Sequence, residues 1–153
     1  MRHTRGEVAG RARREFDNLD RLVTGLRPAD WNRRVPRPEG KDPWTVKDAL
    51  AHIVHWKAHT ARVIRGERRP AELRGLDVNA VNQLIYQRWR RRQPADVLQW
   101  HRRVQAEILR TLAEKPADWF TRRERGPTWP SDLDGHSAHH RVKDIGAALG
   151  RAR

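Results

Sequence analysis

The sequence predicts an all-α fold, a four-helix bundle to which one extra short helical segment can be added. Apolar residues recur at helical spacing along most of the chain. No alternating strand pattern followed by a hairpin turn competes with this periodicity. Five helical segments are predicted, and four or five of them would pack as one bundle. At 153 residues, the chain is expected to form a single domain over 1–153, with short basic tails at 1–5 and 150–153.

The first three helices are predicted from periodicity and from local start signals. They cover Gly6–Gly25, Thr45–Arg65 and Val78–Arg91. The start of the second helix is well marked, because Thr45 suits the N-cap position and Asp48 stands three residues later, a variant of the capping box. Pro-rich loops separate the first helix from the second and the fourth helix from the last.

The fourth and last helices each carry an apolar stripe. Pro94 fits the first turn of the fourth helix. The apolar face of that helix includes Val97, His101, Val104, Ile108 and Leu112. The last helix is predicted over Ser131–Leu149, with a stripe formed by Ala138, Val142, Ile145 and Leu149.

Composition excludes several kinds of site and partner. The chain has no cysteine, which excludes disulfides, thiolate metal ligands and cysteine nucleophiles. The N-terminal stretch lacks the apolar region of a secretory signal, and there is no run of about 18 apolar residues for a transmembrane helix. We therefore expect a cytoplasmic protein without a membrane partner.

The net charge of +14 makes non-specific association with nucleic acid one prediction, since Lys and Arg replace counterions on phosphate. The alternative is an ordinary solvated basic surface, because the arginines are scattered over the whole chain. The densest basic run is Arg88–Arg92, near the end of the third helix, where cations also suit the helix dipole. Charge alone leaves both interpretations open.

His52 is the first candidate functional residue. A helical wheel over the second helix places it at the edge of a broad apolar arc, with Trp56 one turn further on the same side and His55 pointing away. A histidine beside a tryptophan at the edge of a core can line a pocket. It can equally be a half-buried residue that makes a structural hydrogen bond, and the helix pattern alone does not separate the two.

The last helix carries three histidines within residues 136–140. His136 and His140 are one helical turn apart, so together they could hold a metal ion if a third ligand faces them. On a regular wheel, however, this pair lies nearly opposite the apolar stripe. The alternatives are an irregular helix near Gly135, a bundle that covers both sides, or a solvated pair that binds nothing.

Three stretches resemble the DinB/YfiT-like superfamily of four-helix bundles. PWTVKDALAHIVHW, residues 43–56, resembles the second-helix signature, a tryptophan followed eight residues later by a histidine, here Trp44 and His52. LDVNAVNQLIYQRWRRRQPADVLQWHRRV resembles the middle of the ClbS/DfsB branch. GHSAHHRVKDI resembles the last-helix motif, a histidine pair before an apolar turn. The resemblance covers about Phe16–Leu149.

The resemblance implies a metal site and a small-molecule substrate. Many members hold a divalent nickel or zinc ion through three histidines, which correspond here to His52, His136 and His140. Three imidazoles leave coordination positions open for water or substrate. Relatives include transferases and isomerases that use a low-molecular-weight thiol such as mycothiol, bacillithiol or glutathione. The ClbS/DfsB branch is linked to self-protection against genotoxic compounds and does not require a metal.

One position departs from the family pattern. The apolar residue expected four positions after the second histidine is Asp144 here, and Ile145 follows it. His140 and Asp144 therefore form an alternative pair of ligands one turn apart. A π-bulge, which is frequent at functional sites, would absorb the extra residue.

The leading hypothesis is a protein that hydrolyses or sequesters an electrophilic compound in a pocket between the second and last helices. His52 and His140 would be metal ligands or acid–base groups, a role that suits histidine near neutral pH. The pocket candidates are Trp44, Trp56, Tyr86, Trp129 and Asp144. The alternatives are a thiol-dependent transferase or isomerase, a basic DNA-associated protein, and a structural or dimerising bundle. Whether the chain is an enzyme, and whether it forms a homodimer, stay open.

Overall fold

The computed structural model describes residues 3–38, 40–121 and 142–150. The regular elements in these ranges are helices, namely α1 (Arg5–Thr24), α2 (Val46–Arg65), α3 (Val78–Trp89), α4 (Pro94–Ala113), α5 (Ala117–Thr121) and α6 (Val142–Ala148). Two 3₁₀ turns, Pro28–Asn32 and Ala71–Leu73, lie in the connections. The predicted all-α helical bundle is confirmed.

Local capping explains where the long helices begin. At the start of α2, the Thr45 hydroxyl accepts from the Asp48 backbone N–H (3.3 Å) and the Asp48 carboxylate accepts from the Thr45 N–H (3.0 Å), so the predicted capping box is confirmed. The Asp77 carboxylate accepts from the Ala80 N–H at 2.8 Å at the start of α3. Pro94 opens α4 as predicted, where an N–H would have no helical partner.

α2 is the central helix of the bundle. It packs against α3, α4 and α6, whereas α1 packs against α4 and α5. From Val46 to Ala58, every residue except Trp56 is buried, as expected of a helix that is covered on several sides. The main core includes Leu19, Leu50, Ile53, Ile108, Leu112, Phe120 and Ile145. A second, smaller cluster of Leu73, Val81 and Ile85 has Trp56 packed against it.

The predicted helix boundaries hold for α1 to α3 within about two residues, the usual uncertainty of helix ends. α5 corrects the sequence interpretation, which treated this stretch as a Pro-rich loop. The short helix forms because Trp119 and Phe120 are buried in the core. Of the predicted last helix, α6 is described and residues 131–141 lie outside the described residues. Within the described ranges, we find no helix that is long and apolar enough to cross a membrane.

Candidate functional site

His52 lies in the middle of α2 and is 1% exposed. Its imidazole packs against the Trp44 indole, with ring centroids 4.8 Å apart and planes inclined by 47°. The Trp56 ring meets the imidazole nearly edge-on from one turn further along α2, at 6.4 Å and 63°. Tilted and edge-on geometries of this kind are the favourable ones for aromatic rings. Two of the predicted pocket residues therefore contact the same histidine.

The loop before α2 packs over Trp44 and covers this side of the site. The Arg37 guanidinium lies 3.7 Å from the centroid of the Trp44 ring, close enough for a cation–π interaction. Arg37 Nε also donates to the Asp42 carbonyl at 3.1 Å. The Val35 N–H donates to the Trp44 carbonyl at 3.0 Å. These contacts hold the loop against the bundle, and Trp44 is buried as a result.

Trp56 connects α2 to α3. Its indole N–H donates to the Asn82 side-chain oxygen at 2.9 Å. Tyr86 follows Asn82 by one turn of α3, is half-buried and packs against the main core. The Arg90 guanidinium lies 5.6 Å from the centroid of the Tyr86 ring. Trp56 and Tyr86 are both partly exposed, so each can present an aromatic edge to a ligand.

α6 packs against α2, the helix that carries His52. Ile145 is fully buried, and Val142 and Leu149 pack against the main core, so the stripe predicted for the last helix is confirmed over these residues. Asp144 is half-buried. Three predicted site residues lie outside the described residues: Trp129, His136 and His140.

One of the three predicted metal ligands, His52, belongs to the described part of the chain. Across residues 3–38, 40–121 and 142–150, no group of three or more His, Cys, Asp or Glu side chains is placed to hold a metal ion. His52 has suitable donor chemistry, because an imidazole nitrogen binds both nickel and zinc. The triad stays a prediction, as do the alternative ligand Asp144 and the thiol cofactor.

His55 is buried, although the helical wheel turned it away from the core. It is 7% exposed, because α3, α4 and α6 cover α2 from several sides rather than from one. The Trp56 indole makes edge-on contacts with both His55 (5.2 Å) and His59 (5.3 Å). Burial, followed by the positive charge of Arg62, lowers the pKa of His55 to about 4. This imidazole is therefore neutral at pH 7.

A second buried polar group lies between α1, α2 and α4. The Lys57 ammonium donates to the Glu15 carboxylate at 2.6 Å, and both side chains are almost fully buried. His101 is buried as well and stacks on Phe16 with centroids 4.5 Å apart. Its Nε2 lies 3.3 Å from a carboxylate oxygen of Asp20. Periodicity predicted His101 on the apolar face of α4, but no sequence signal predicted the ion pair.

The turn between α3 and α4 presents the densest basic run at the surface. Lys47 of α2 holds this turn, since its ammonium donates to the carbonyls of Arg90 and Arg92 at 2.7 and 2.6 Å. The exposed arginines here are Arg88 at the end of α3 and Arg90, Arg91 and Arg92 in the turn. The backbone of the turn is fixed, while its side chains face solvent.

Sequence comparison matches most of the chain to one family. Residues 12–146 match the family described as the mycothiol maleylpyruvate isomerase N-terminal domain. No curated protein sequence matches the chain. The matched range contains His52, His136 and His140.

Structural comparison finds the same fold in a solved structure. The crystal structure of the colibactin self-resistance protein ClbS in complex with a dsDNA has a TM-score of 0.63, over 97% of this chain and 93% of that chain. The two sequences are 11% identical, so the likeness concerns the fold. The two comparisons together confirm the predicted resemblance to the DinB/YfiT-like bundles.

Proposed function

The chain belongs to the mycothiol maleylpyruvate isomerase N-terminal domain family, and from this premise we propose that it converts an electrophilic small molecule in a pocket beside His52. The proposed centre is a divalent nickel or zinc ion held by His52, His136 and His140. The attacking group is a low-molecular-weight thiol or water. The observation that carries the proposal is the buried His52 imidazole against Trp44, on the helix that α6 contacts.

The surroundings of His52 suit a metal ligand or a proton-transfer group. Either role needs an imidazole held in one orientation. The Trp44 and Trp56 rings restrict its orientation through their contacts at 4.8 and 6.4 Å. They also keep water away from it, and a water-poor site strengthens the electrostatic interactions inside it.

The position of α6 supports the other two ligands. α6 packs against α2, and His140 precedes Val142, the first residue of α6, by two residues. Two residues span at most about 7 Å even when fully extended, so the chain itself ties His140 to a helix that contacts the His52 helix. The spacing of His136 and His140 is the one that lets two imidazoles of a helix bind one ion.

Three imidazoles would leave open positions for a sulfur or oxygen nucleophile. A divalent ion held by these residues would supply acidity, since it would lower the pKa of a water or thiol bound to it. In hydrolysis without a bound metal, the His52 imidazole would accept the proton of a water molecule as the water oxygen bonds to the electrophilic carbon. In thiol transfer, the thiol would lose its proton and its sulfur would bond to that carbon. In both reactions the bond from the carbon to its leaving group would break, and the leaving group would depart with the electron pair. The family description names mycothiol and an isomerase, which favours a thiol-dependent reaction, transfer or isomerisation, over hydrolysis.

Metal analysis of protein purified without a histidine tag tests the proposed centre. We expect about one nickel or zinc ion per chain, and its loss in His52→Asn and in His140→Asn. His101→Asn is the matched control, because His101 is equally buried and also contacts an aromatic ring but lies on α4 against α1. Wild-type protein without stoichiometric metal, or a His52→Asn variant that retains it, would contradict the proposal.

Turnover of a model electrophile separates thiol transfer from hydrolysis. The metal-loaded protein is incubated with 1-chloro-2,4-dinitrobenzene in the presence and absence of mycothiol. We expect conversion that requires the thiol, and a loss of about 10²-fold or more in His52→Asn. Conversion without thiol would indicate hydrolysis. Capture of one equivalent without product release would indicate sequestration.

Association with nucleic acid is the second candidate function, and the basic turn between α3 and α4 favours it. Beside the exposed arginines, Trp89 and Trp100 stack flat with centroids 4.3 Å apart, and both residues are partly exposed. The Arg92 guanidinium lies 5.7 Å from the Trp89 ring centroid. Arginines beside aromatic rings suit a phosphate backbone with accessible bases. The ClbS structure contains a dsDNA, which agrees with this proposal.

Salt dependence of binding tests the nucleic-acid proposal. Binding to a fluorescent duplex is followed by anisotropy, and the affinity should fall linearly with salt on logarithmic axes. Replacing Arg91 and Arg92 by Gln should lower the slope by about two, because each guanidinium that is removed leaves one phosphate without its protein cation. The control replaces the exposed Arg13 and Arg14 of α1. Salt-insensitive binding, or no binding at low salt, would rule this function out.

A further inference from the structure

A cluster of histidine and arginine side chains lies on α2 and in the loop that follows it, beyond the His52 site. His55, His59 and Arg62 follow one another at intervals of four and three residues, so they share one face of the helix. Arg69, in the following loop, is half-buried and donates to the Leu76 carbonyl at 3.2 Å. Burial, together with the charges of Arg62 and Arg69, lowers the pKa of both histidines. The charges of these two arginines therefore act on both histidines.

Two carboxylates near this cluster, among the described residues, pair with other arginines, although the charge of Arg62 also acts on Glu67. Glu67 accepts two hydrogen bonds from Arg65, at 2.6 and 3.1 Å. Glu72 lies 3.6 Å from Arg88, and both carboxylates are about half exposed. Arg62 Nη1, by contrast, is buried and has no hydrogen-bond acceptor among the residues that the structure describes. A buried N–H of a charged group without an acceptor is costly, so this arrangement favours an additional anion.

We propose that His55, His59, Arg62 and Arg69, here called the anion cluster, bind the phosphate or carboxylate group of a small molecule. Such an oxyanion would accept from the buried Arg62 N–H and offset the positive charge. A guanidinium is a planar fork that matches both kinds of oxyanion. The His55–His59 pair alone would also suit a metal ion, but the two arginines repel a cation. A small ligand suits the site better than a polymer does, because His55 is 7% exposed.

Trp56 lies between the anion cluster and the His52 site. Its ring contacts His52 at 6.4 Å and His55 at 5.2 Å. A molecule anchored by its oxyanion at the cluster would therefore have its other end near the aromatic rings around His52. Binding itself depends neither on a metal ion nor on the proposed reaction, so the two proposals can fail separately.

Imidazole NMR titrations test the anion cluster. The histidine-labelled protein is titrated in sodium chloride, sodium phosphate and sodium succinate at equal ionic strength, and the signals are assigned with His55→Gln and His59→Gln. A bound anion favours the protonated imidazole, so the pKa of His55 should rise by about 1–3 units in phosphate or succinate relative to chloride. Arg62→Gln should remove this rise. Arg103→Gln, which replaces an exposed arginine of α4, should leave it unchanged.

A second variant keeps the test decisive if Arg62→Gln does not fold. Arg62→Lys retains the charge but lacks the planar fork, so a smaller rise is expected. Equal His55 pKa values in all three salts would overturn the proposal, as would a rise of full size in either Arg62 variant. A rise caused by duplex DNA, but by neither phosphate nor succinate, would also overturn it, because the ligand would then be a polymer.

Discussion

The Trp44 indole and the His52 imidazole lie 4.8 Å apart between ring centroids, and both rings are almost completely buried. Trp44 is therefore both a wall of the candidate site and part of the core. Trp44→Ala is expected to lower the free energy of unfolding by about 3–5 kcal/mol, because a cavity replaces the indole. Trp44→Phe retains an aromatic ring and should lower the free energy of unfolding by less than Trp44→Ala does. Urea unfolding measures both, and a Trp44→Ala variant as stable as the wild type would contradict this packing.

The ion pair between Lys57 and Glu15 should be costly to break from one side. Both side chains are buried and their charged atoms lie 2.6 Å apart. Glu15→Gln leaves the Lys57 ammonium without its partner, so we expect a loss of about 3–5 kcal/mol in the free energy of unfolding. The double variant Glu15→Leu with Lys57→Met removes both charges and should recover most of the loss. A cost below about 1 kcal/mol for Glu15→Gln would instead be typical of an exposed pair.

Local signals explain why most of the fold could be predicted from the sequence. The Thr45–Asp48 capping box and the position of Pro94 depend on a few adjacent residues. The α4 stripe depends on helical spacing alone, and its members Val97, Val104 and Ile108 are buried. Two parts of the candidate site were predictable for the same reason, since His52 and Trp56 lie one turn apart on a single helix.

Long-range contacts explain what the sequence could not predict. The helical wheel drawn for α2 assumed that this helix has one buried side. Three helices cover α2 instead, and His55 is buried as a result. Lys47 is buried, and the residues whose carbonyls it contacts, Arg90 and Arg92, are 43 and 45 positions away in the sequence. Periodicity alone likewise leaves the ligand role of His136 and His140 a prediction.

Lys47 should stabilise the turn between α3 and α4. Lys47→Met removes the donor from two backbone carbonyls, those of Arg90 and Arg92, and we expect a loss of about 1.5–3 kcal/mol in the free energy of unfolding. Amide hydrogen exchange should also become faster in this turn. Lys41→Met is the control, because Lys41 is an exposed loop residue. Unchanged stability together with unchanged exchange would contradict a structural role for Lys47.

The buried His101 should make the protein less stable at mildly acid pH. Burial, and then the charge of Lys57, lower its pKa to about 4, while Asp20 acts in the opposite direction. In the unfolded chain a histidine titrates near its ordinary value of about 6.5. Between these two pKa values the unfolded chain binds more protons than the folded chain does. The stabilising contribution of the buried His101 is therefore complete above about pH 6.5 and is lost as the pH falls towards 4. At about 1.4 kcal/mol per pKa unit, the contribution of His101 to the free energy of unfolding is on the order of 3 kcal/mol.

Single substitutions separate the effect of His101 on the pH dependence of stability from that of His55. The pKa of His55 is also lowered to about 4, so this histidine acts in the same direction. His101→Phe keeps a ring beside Phe16 but cannot take up a proton. Urea unfolding at intervals between pH 7.5 and 4 should therefore show a slope of stability against pH reduced by no more than about half in His101→Phe, since His101 shares the effect with His55 and with His59, whose pKa is also lowered. His55→Phe should give a similar reduction. An unchanged slope in His101→Phe would mean that the His101 imidazole takes up its proton as readily in the folded chain as in the unfolded one.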